Sequence, residues 1–198
     1  MSLLRVLIQK IDPGPRWVFA IDDSPTKRYG QRVQGTGYHH NPTSGPTNQK
    51  YLFGHVFVTM AWIVKTPWNK ALALPLLSKL YIKAKDVANL ATDSLEWTFR
   101  TKLELAGELL GWIAKWLTLS GKDLWVVFDG AYNKSPLLSK ARQLGITVVS
   151  RLAKNAALYS VPDPVTQAGQ GRPRKYGKMR LTLAAEGAKN RMPACRAF

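Results

Sequence analysis

Two apolar segments of the sequence each end in an acidic residue. Residues 17–23 (WVFAIDD) end in Asp22 and Asp23, and residues 124–129 (LWVVFD) end in Asp129. Short apolar runs of this kind are typical of buried strands, and an acid at the exit of a strand stays in contact with water. Carboxylates are ligands that Mg²⁺ and Mn²⁺ prefer. If the two segments are neighbours in the fold, their acids predict a divalent-metal site.

The two acids of the first segment cannot both point into one site. Successive side chains of a strand alternate between faces, so Asp22 and Asp23 point in opposite directions unless a bulge intervenes. The alternative interpretation is that the DDSP run only opens a turn, because Asp, Ser and Pro favour turns. The same alternative interpretation, an acid that only begins a turn, applies to Asp129. However, Gly130 directly after it allows the close approach of a backbone or a ligand.

The first half of the chain predicts strands and then a long helix. Aromatic and β-branched residues predict strands at residues 17–23, at about 32–38 and at 51–65, the first two joined as a hairpin. Residues 66–85 contain two prolines and are predicted to form a loop and a short helix. A long amphipathic helix is predicted from the pair Asp93 and Glu96 to Gly121, with Trp112 and Trp116 in the core or at its margin.

The second half predicts a β-α-β unit. Residues 124–128 form its first strand, and a helix runs from Ser135 as N-cap, with Pro136 as the first helical residue, to Gly145. Residues 146–150 form its second strand. The two strands of such a unit are parallel.

The charge of the chain is its unusual compositional feature. Among 198 residues, 29 are Lys or Arg and 12 are Asp or Glu, which gives a net charge of +17, while 45% are hydrophobic as in ordinary globular proteins. This balance favours a polyanion such as nucleic acid as partner. Neither a signal peptide nor a run that spans a membrane is recognisable, and the single Cys195 has no partner for an internal disulfide, which predicts a soluble intracellular protein.

The C-terminal part is more basic than the rest. From Arg151 onward ten Lys and Arg residues stand against two acids, a net charge of +8. Residues 171–178 (GRPRKYGK) combine cations with one aromatic ring, a composition that can follow a phosphate backbone. The alternative is a solvated basic loop. We expect DNA contact from Arg172, Arg174, Lys175, Tyr176 and Lys178.

Three motifs, in their order and spacing, resemble bacterial insertion-sequence transposases of the DDE superfamily of endonucleases. They are residues 21–24 (IDDS) followed by Lys27, residues 40–43 (HNPT), and residues 127–132 (VFDGAY). The resemblance implies an α/β fold: an RNase H-like mixed sheet, with a three-stranded antiparallel meander, parallel strands and flanking helices. It also implies that residues 1–151 are part of a catalytic core and that residues 152–198 are a basic tail that begins an inserted or truncated segment.

The same resemblance assigns the chemistry. Asp22 would be the first catalytic acid, with Asp23 as a further metal ligand, and Asp129 the second; together they would hold Mg²⁺ or Mn²⁺. Lys27 and Arg28 would join the tail residues in binding DNA, with transposon ends and target DNA as partners, in the cytoplasm near the nucleoid. The parent enzyme would act in DNA recombination, with a homodimer as one arrangement. His39, His40 and His55 lack metal-ligand spacing and are interpreted as loop or strand-face residues.

Transposases of this family have three catalytic acids, the third of which is usually Glu. The sequence departs from the family pattern at this third acid. Glu186 is the only Glu after Glu108, and its setting (LAAEGAK) lacks the Tyr, Arg and Lys residues that accompany the third acid, so we do not expect it to be catalytic. This chain would then be an incomplete catalytic segment. Two alternatives stay open: an inactive DNA-binding remnant of a transposase, and a different RNase H-like nuclease.

Overall fold

The computed structural model describes residues 3–30, 32–41, 49–66, 68, 70–87, 90, 97–117, 120–152, 157–160, 162 and 176–181. The chain divides into two compact units, residues 1–151 and residues 152–198. In the second unit the described residues form one small antiparallel pair, β7 (Leu158–Tyr159) with β8 (Arg180–Leu181).

The first unit contains a six-stranded mixed sheet and its helices. The elements are, in chain order, α1 (Leu3–Lys10), β1 (Arg16–Lys27), β2 (Gly37–His40), β3 (Tyr51–Lys65), β4 (Ala71–Tyr81), α2 (Ala84–Val87), α3 (Lys102–Leu117), β5 (Asp123–Phe128), α4 (Ser135–Gln143) and β6 (Thr147–Ser150). None of the helices in the described part of the chain is long and apolar enough to cross a membrane.

Strand β1 lies at the centre of the sheet. It pairs antiparallel with β3 on one side and parallel with β5 on the other, and β6 continues the sheet in parallel beyond β5. The far side of β3 pairs with both β2 and β4, each antiparallel. Strands β1, β3 and β4 therefore make the antiparallel meander, and the parallel pairing of β5 with β6 confirms the predicted β-α-β unit.

The hydrophobic core lies on one face of the sheet. Inward side chains of β1 (Trp17, Phe19 and Ile21) pack with Leu109 and Ile113 of α3 in a single cluster that also includes residues of α1 and α4. Trp112 packs against this cluster, as predicted. Trp116 is 44% exposed instead, because it lies on the outer side of α3.

The opposite face of the sheet is more open. Ala20, Val127 and Val149 occupy one row across the three parallel strands, and the two valines are 37% and 42% exposed. Side chains two residues further along a strand lie on the same face. Asp22, two residues after Ala20, therefore belongs to this open face.

The sheet differs from the prediction in two places. The predicted hairpin between the first two strands is not formed, because β1 pairs with β3, and β2 is a short strand on the far side of β3. Residues 71–81, predicted as loop and helix, form strand β4. Pro75 is tolerated there because β4 pairs only with β3 and the register shifts beside it, between Met60 and Ala61.

Helix α3 begins later than predicted. Residues 91–96, which contain the predicted start, lie outside the described residues, and Phe99 precedes the helix with 42% of its surface exposed. A capping box begins the helix instead: Glu104 accepts the backbone N–H of Thr101 at 2.7 Å, and the Thr101 hydroxyl accepts the N–H of Glu104 at 3.2 Å. Its hydrogen bonds to Thr101 hold the pKa of Glu104 below the ordinary value.

Replacing Thr101 with Ala should destabilise the protein modestly. The substitution removes the hydroxyl that accepts the Glu104 N–H, and loss of such a cap lowers the free energy of unfolding by about 1 kcal/mol. Urea denaturation followed by circular dichroism measures this. Thr101→Ser, which keeps the hydroxyl, is the matched control. Equal stability of the Ala and Ser variants would show that the cap does not stabilise α3.

Helix α4 differs from the prediction by one residue at its start. Lys134, not Ser135, is the N-cap, and it makes no side-chain capping bond. The C-terminal end agrees with the prediction, because Gly145 follows the helix at φ +68°, a conformation that glycine adopts without strain.

Candidate active site

The carboxyl ends of β1 and β5 meet at one edge of the sheet. The two strands are parallel neighbours, and the last residues in register are Ile21 and Phe128, whose side chains both point into the core. Asp22 follows Ile21 and Asp129 follows Phe128. The register therefore brings the two sequence-predicted acids to adjacent strands at the same edge, on the face away from α3.

Asp22 keeps a carboxylate oxygen available at this edge. The residue is exposed and lies opposite Thr59 of β3. Its Oδ1 accepts the backbone N–H of Asp23 at 2.8 Å. Its Oδ2 makes no hydrogen bond to the residues that the structure describes, so this oxygen can bind a cation.

Asp129 is held by the turn that follows β5. Its Oδ1 accepts the backbone N–H of Ala131 at 2.9 Å and, more weakly, that of Tyr132 at 3.4 Å. A side chain at Gly130 would lie 3.3 Å from the carbonyl oxygen of Arg151, so glycine lets the turn pack closely there. Within the described ranges Oδ2 has no hydrogen-bond partner. Asp129 thus presents one oriented oxygen, as Asp22 does.

Asp23 lies on the other face and has a different environment. It is half-buried, and its Oδ2 forms an ion pair with Nζ of Lys102 at 2.6 Å. Its Oδ1 accepts a hydrogen bond from the hydroxyl of Tyr132 at 3.1 Å. Both oxygens of Asp23 are therefore occupied by protein groups.

Tyr132 connects the acids of the two strands. Its side chain is buried, its hydroxyl donates to Asp23, and its backbone N–H donates to the carbonyl oxygen of Asp129 at 3.3 Å. Burial raises the pKa of Tyr132 far above its ordinary value, and the negative charges of Asp23, Asp22 and Asp129 raise it further. The hydroxyl therefore stays protonated and remains a hydrogen-bond donor at any physiological pH.

The donor set fits a magnesium-type ion better than a softer metal. Among the described residues no group of three or more His, Cys, Asp or Glu side chains is arranged to hold a metal. Mg²⁺, however, is commonly bound through one or two carboxylates, with waters and substrate phosphates as its other ligands. Asp22 and Asp129, each with an available oxygen, match that requirement.

A family model described as DDE superfamily endonuclease matches residues 2–195 of the chain. This protein belongs to that family. None of the curated proteins that were searched matches the chain. The match confirms the resemblance to the DDE superfamily of endonucleases, and family membership implies a DNA substrate. The mixed sheet with flanking helices is the α/β, RNase H-like architecture expected of a DDE endonuclease.

Of the residues predicted to bind DNA, Lys27 and Arg28 lie at and just after the end of β1. Lys27 is exposed. Arg28 donates its Nε–H to Nδ1 of His55 at 3.3 Å, while Nε2 of His55 donates to the carbonyl oxygen of Gln34 at 2.9 Å. Arg28 is therefore held in place next to β3.

The predicted tail residues are only partly described. Arg172, Arg174 and Lys175 lie outside the described residues, as do Glu186 and Cys195. Tyr176 and Lys178 are exposed in the second unit, and the Tyr176 ring packs against Tyr159 with centroids 5.4 Å apart.

The three histidines of the chain have identifiable structural surroundings. His39 and His55 are buried, and His40 packs edge-on against Tyr51. Burial lowers the pKa of His39, and the positive charges of Lys83 and Lys102 lower it further. The neutral ring of His39 lies against Tyr81, with centroids 6.0 Å apart.

Sequence reasoning missed Lys102 and Tyr132. Tyr132 belongs to the VFDGAY motif, and its place three residues after Asp129 in a turn was a usable signal for a contact with that acid. The capping pair Thr101 and Glu104 signalled a helix start beside Lys102. Nothing in the sequence indicated that Lys102 would contact Asp23, because 79 residues separate them.

Proposed function

We propose that this chain supplies two metal-binding carboxylates of a DNA endonuclease that cuts DNA ends and joins them to a target in transposition. The supporting observation is the parallel register of β1 and β5, which brings Asp22 and Asp129 to one sheet edge directly after Ile21 and Phe128. Each acid has an oxygen without a partner in the described residues. Family membership supports the DNA substrate.

Asp22 and Asp129 would together hold Mg²⁺ or Mn²⁺. Such an ion would supply activation of a water or a 3′-hydroxyl and stabilisation of the departing oxygen in an in-line displacement at phosphorus. Asp23 is assigned a different role from the one that the resemblance gave it: its pairing with Lys102 and Tyr132 makes it a positioning residue that fixes the end of β1.

Tyr132 is proposed to hold the two acids in register. Its hydroxyl donates to Asp23, the residue that follows Asp22, and its backbone N–H donates to the carbonyl oxygen of Asp129. A residue that is bonded to one strand end through its hydroxyl and to the other through its backbone N–H limits the relative movement of the two ends. Lys102 neutralises Asp23, so the charge that attracts a cation comes from Asp22 and Asp129.

DNA contact is proposed for Lys27 and Arg28 and for the tail residues Arg172, Arg174, Lys175, Tyr176 and Lys178. The net charge of +17 supports it, because phosphate neutralisation by Lys and Arg dominates binding to DNA.

A Mn²⁺ titration of the Asp22→Asn variant tests the metal site directly. We expect the wild-type protein to bind Mn²⁺ and Asp22→Asn to bind it at least about tenfold more weakly, since even loss of an outer-shell partner weakens metal binding about 10–100-fold. Electron paramagnetic resonance of free Mn²⁺ measures the affinity. Asp12→Asn is the control, because Asp12 is an exposed acid that precedes β1 and the charge change is the same. Equal Mn²⁺ affinities of the wild type and Asp22→Asn would show that Asp22 is not a metal ligand.

A further inference from the structure

Aromatic rings follow β3 on the same face of the sheet as Asp22. Asp22 lies opposite Thr59, and directly opposed residues of paired strands point to the same side. The odd-numbered residues of β3 therefore share the face of Asp22. Going away from the acid, this series contains Phe57, His55, Phe53 and Tyr51, and β2 adds Tyr38 opposite Phe53 and His40 opposite Tyr51. We refer to these six residues as the aromatic row.

The rings of the aromatic row pack in three pairs, and those at the far end remain open to solvent. Ring centroids are 5.8 Å apart for His55 and Phe57, 5.2 Å for Tyr38 and Phe53, and 6.1 Å for His40 and Tyr51. Tyr38 and Tyr51 are nevertheless 67% and 64% exposed. Large exposed rings held in order by their neighbours are typical of a surface that binds a ligand.

The strands beneath the row are firmly held. On the reverse side of β2, His39 is 6% exposed, and a side chain at Gly37 would lie 2.8 Å from Oδ2 of Asp86. A side chain at Gly54 of β3 would lie 2.0 Å from the carbonyl oxygen of Thr26, so glycine is required for β1 and β3 to pair there. The aromatic row is therefore a preformed surface.

Polar and positively charged groups border the row. The Arg28 guanidinium is bonded to His55 within it, Lys50 is exposed next to Tyr51, and Thr26 lies opposite His55. Aromatic faces interspersed with fixed cations are how proteins bind single-stranded nucleic acid, because the bases stack on the rings while the cations contact the phosphates.

We propose that the exposed end of the aromatic row, formed by Tyr38, His40 and Tyr51, binds unpaired bases of a DNA strand that leads away from the Asp22 edge. At about 3.3 Å per residue along a strand, the row extends from about 7 Å to about 26 Å from the position of Thr59, opposite Asp22. Bases inside a duplex hide their faces, so the surface favours single strands over duplex DNA. That the bound strand is the one being cut rests on the function proposed above; the binding itself does not.

The test compares binding of single-stranded and duplex DNA by the full chain carrying Tyr38→Ala and Tyr51→Ala together. Fluorescence anisotropy of a labelled oligothymidine should show at least about a tenfold loss of affinity, since each base stacked on an aromatic ring contributes a factor of that order. Duplex affinity should stay unchanged. The dependence of oligothymidine binding on salt should also keep its slope, because no charge is removed.

Two control variants make the result specific. Trp68→Ala removes an exposed aromatic residue (79% exposed) beyond the opposite end of β3 and should leave binding unchanged. Tyr38→Phe with Tyr51→Phe keeps the rings and should retain affinity. Equal oligothymidine affinity of the Ala variant and the wild type would overturn the proposal, and so would an equal loss for duplex DNA. A change of oligomeric state in the Ala variant, seen by sedimentation, with unchanged DNA binding would identify the row as an interface between copies instead.

A Mn²⁺ titration of the variant with Tyr38→Ala and Tyr51→Ala separates this proposal from the proposed function. That variant should bind Mn²⁺ as the wild type does, because both rings lie away from the Asp22 edge. Loss of oligothymidine affinity without loss of Mn²⁺ affinity would leave the assignment of Asp22 and Asp129 intact. Absence of Mn²⁺ binding with normal oligothymidine affinity would leave the proposal for the aromatic row intact.

Discussion

Asp129→Asn is expected to abolish metal-dependent nicking while DNA binding stays the same or becomes slightly tighter. The substitution removes the one oriented carboxylate that the turn after β5 presents, yet the amide oxygen can still accept the N–H of Ala131, so the turn keeps its shape. Loss of a metal worth several kcal/mol of transition-state stabilisation corresponds to a rate decrease of about a thousandfold or more. Removal of a negative charge lowers repulsion of the DNA phosphates.

Relaxation of supercoiled plasmid in Mn²⁺ measures this effect, and a filter-binding assay measures affinity. Asp123→Asn is the matched control, since Asp123 is an exposed acid at the opposite end of the same strand. Nicking by Asp129→Asn at the wild-type rate would contradict the assignment of Asp129. A wild-type chain that binds DNA and shows no nicking in Mn²⁺ would favour the alternative function, a DNA-binding remnant that competes for transposon ends.

Asp23→Asn is expected to act on stability more than on metal binding. It breaks the ion pair with Lys102, whose side chain is 38% exposed, while the amide can still accept the hydroxyl of Tyr132. Hydrogen bonds to charged groups contribute about 1.5–3 kcal/mol, and solvent screening places this one near the lower end, so we expect the free energy of unfolding to fall by about 1–2 kcal/mol.

Urea denaturation of Asp23→Asn, Lys102→Met and the double variant gives the interaction free energy between the two side chains. Asp22→Asn serves as the control in the same assay, because Asp22 is exposed and has no ion pair among the described residues. Two outcomes would contradict the separation of roles: a loss of Mn²⁺ affinity in Asp23→Asn as large as in Asp22→Asn, or no loss of stability in Asp23→Asn.

Local sequence signals were sufficient where the structure depends on neighbouring residues. The apolar run ending at Phe128, the proline after Ser135 and the glycine at position 145 predicted the β-α-β unit, because strand burial and helix ends leave direct marks on composition. They failed at β4. Its proline and irregular leucines look like loop, and only pairing with β3 supplies the hydrogen bonds that make it a strand.

The sequence by itself determined the fold class, the basic character of the chain and the two segments whose ends are acidic. It also predicted that Asp22 and Asp23 point in opposite directions unless a bulge intervenes, because side chains alternate between faces along a strand. Which acid belongs to which environment was decided by the tertiary structure. Lys102 approaches from α3 on the core face and pairs with Asp23, so Asp22 is the acid left open beside Asp129. The aromatic row likewise exists only through the register of β1, β2 and β3, since residues far apart in sequence share a face only after the strands pair.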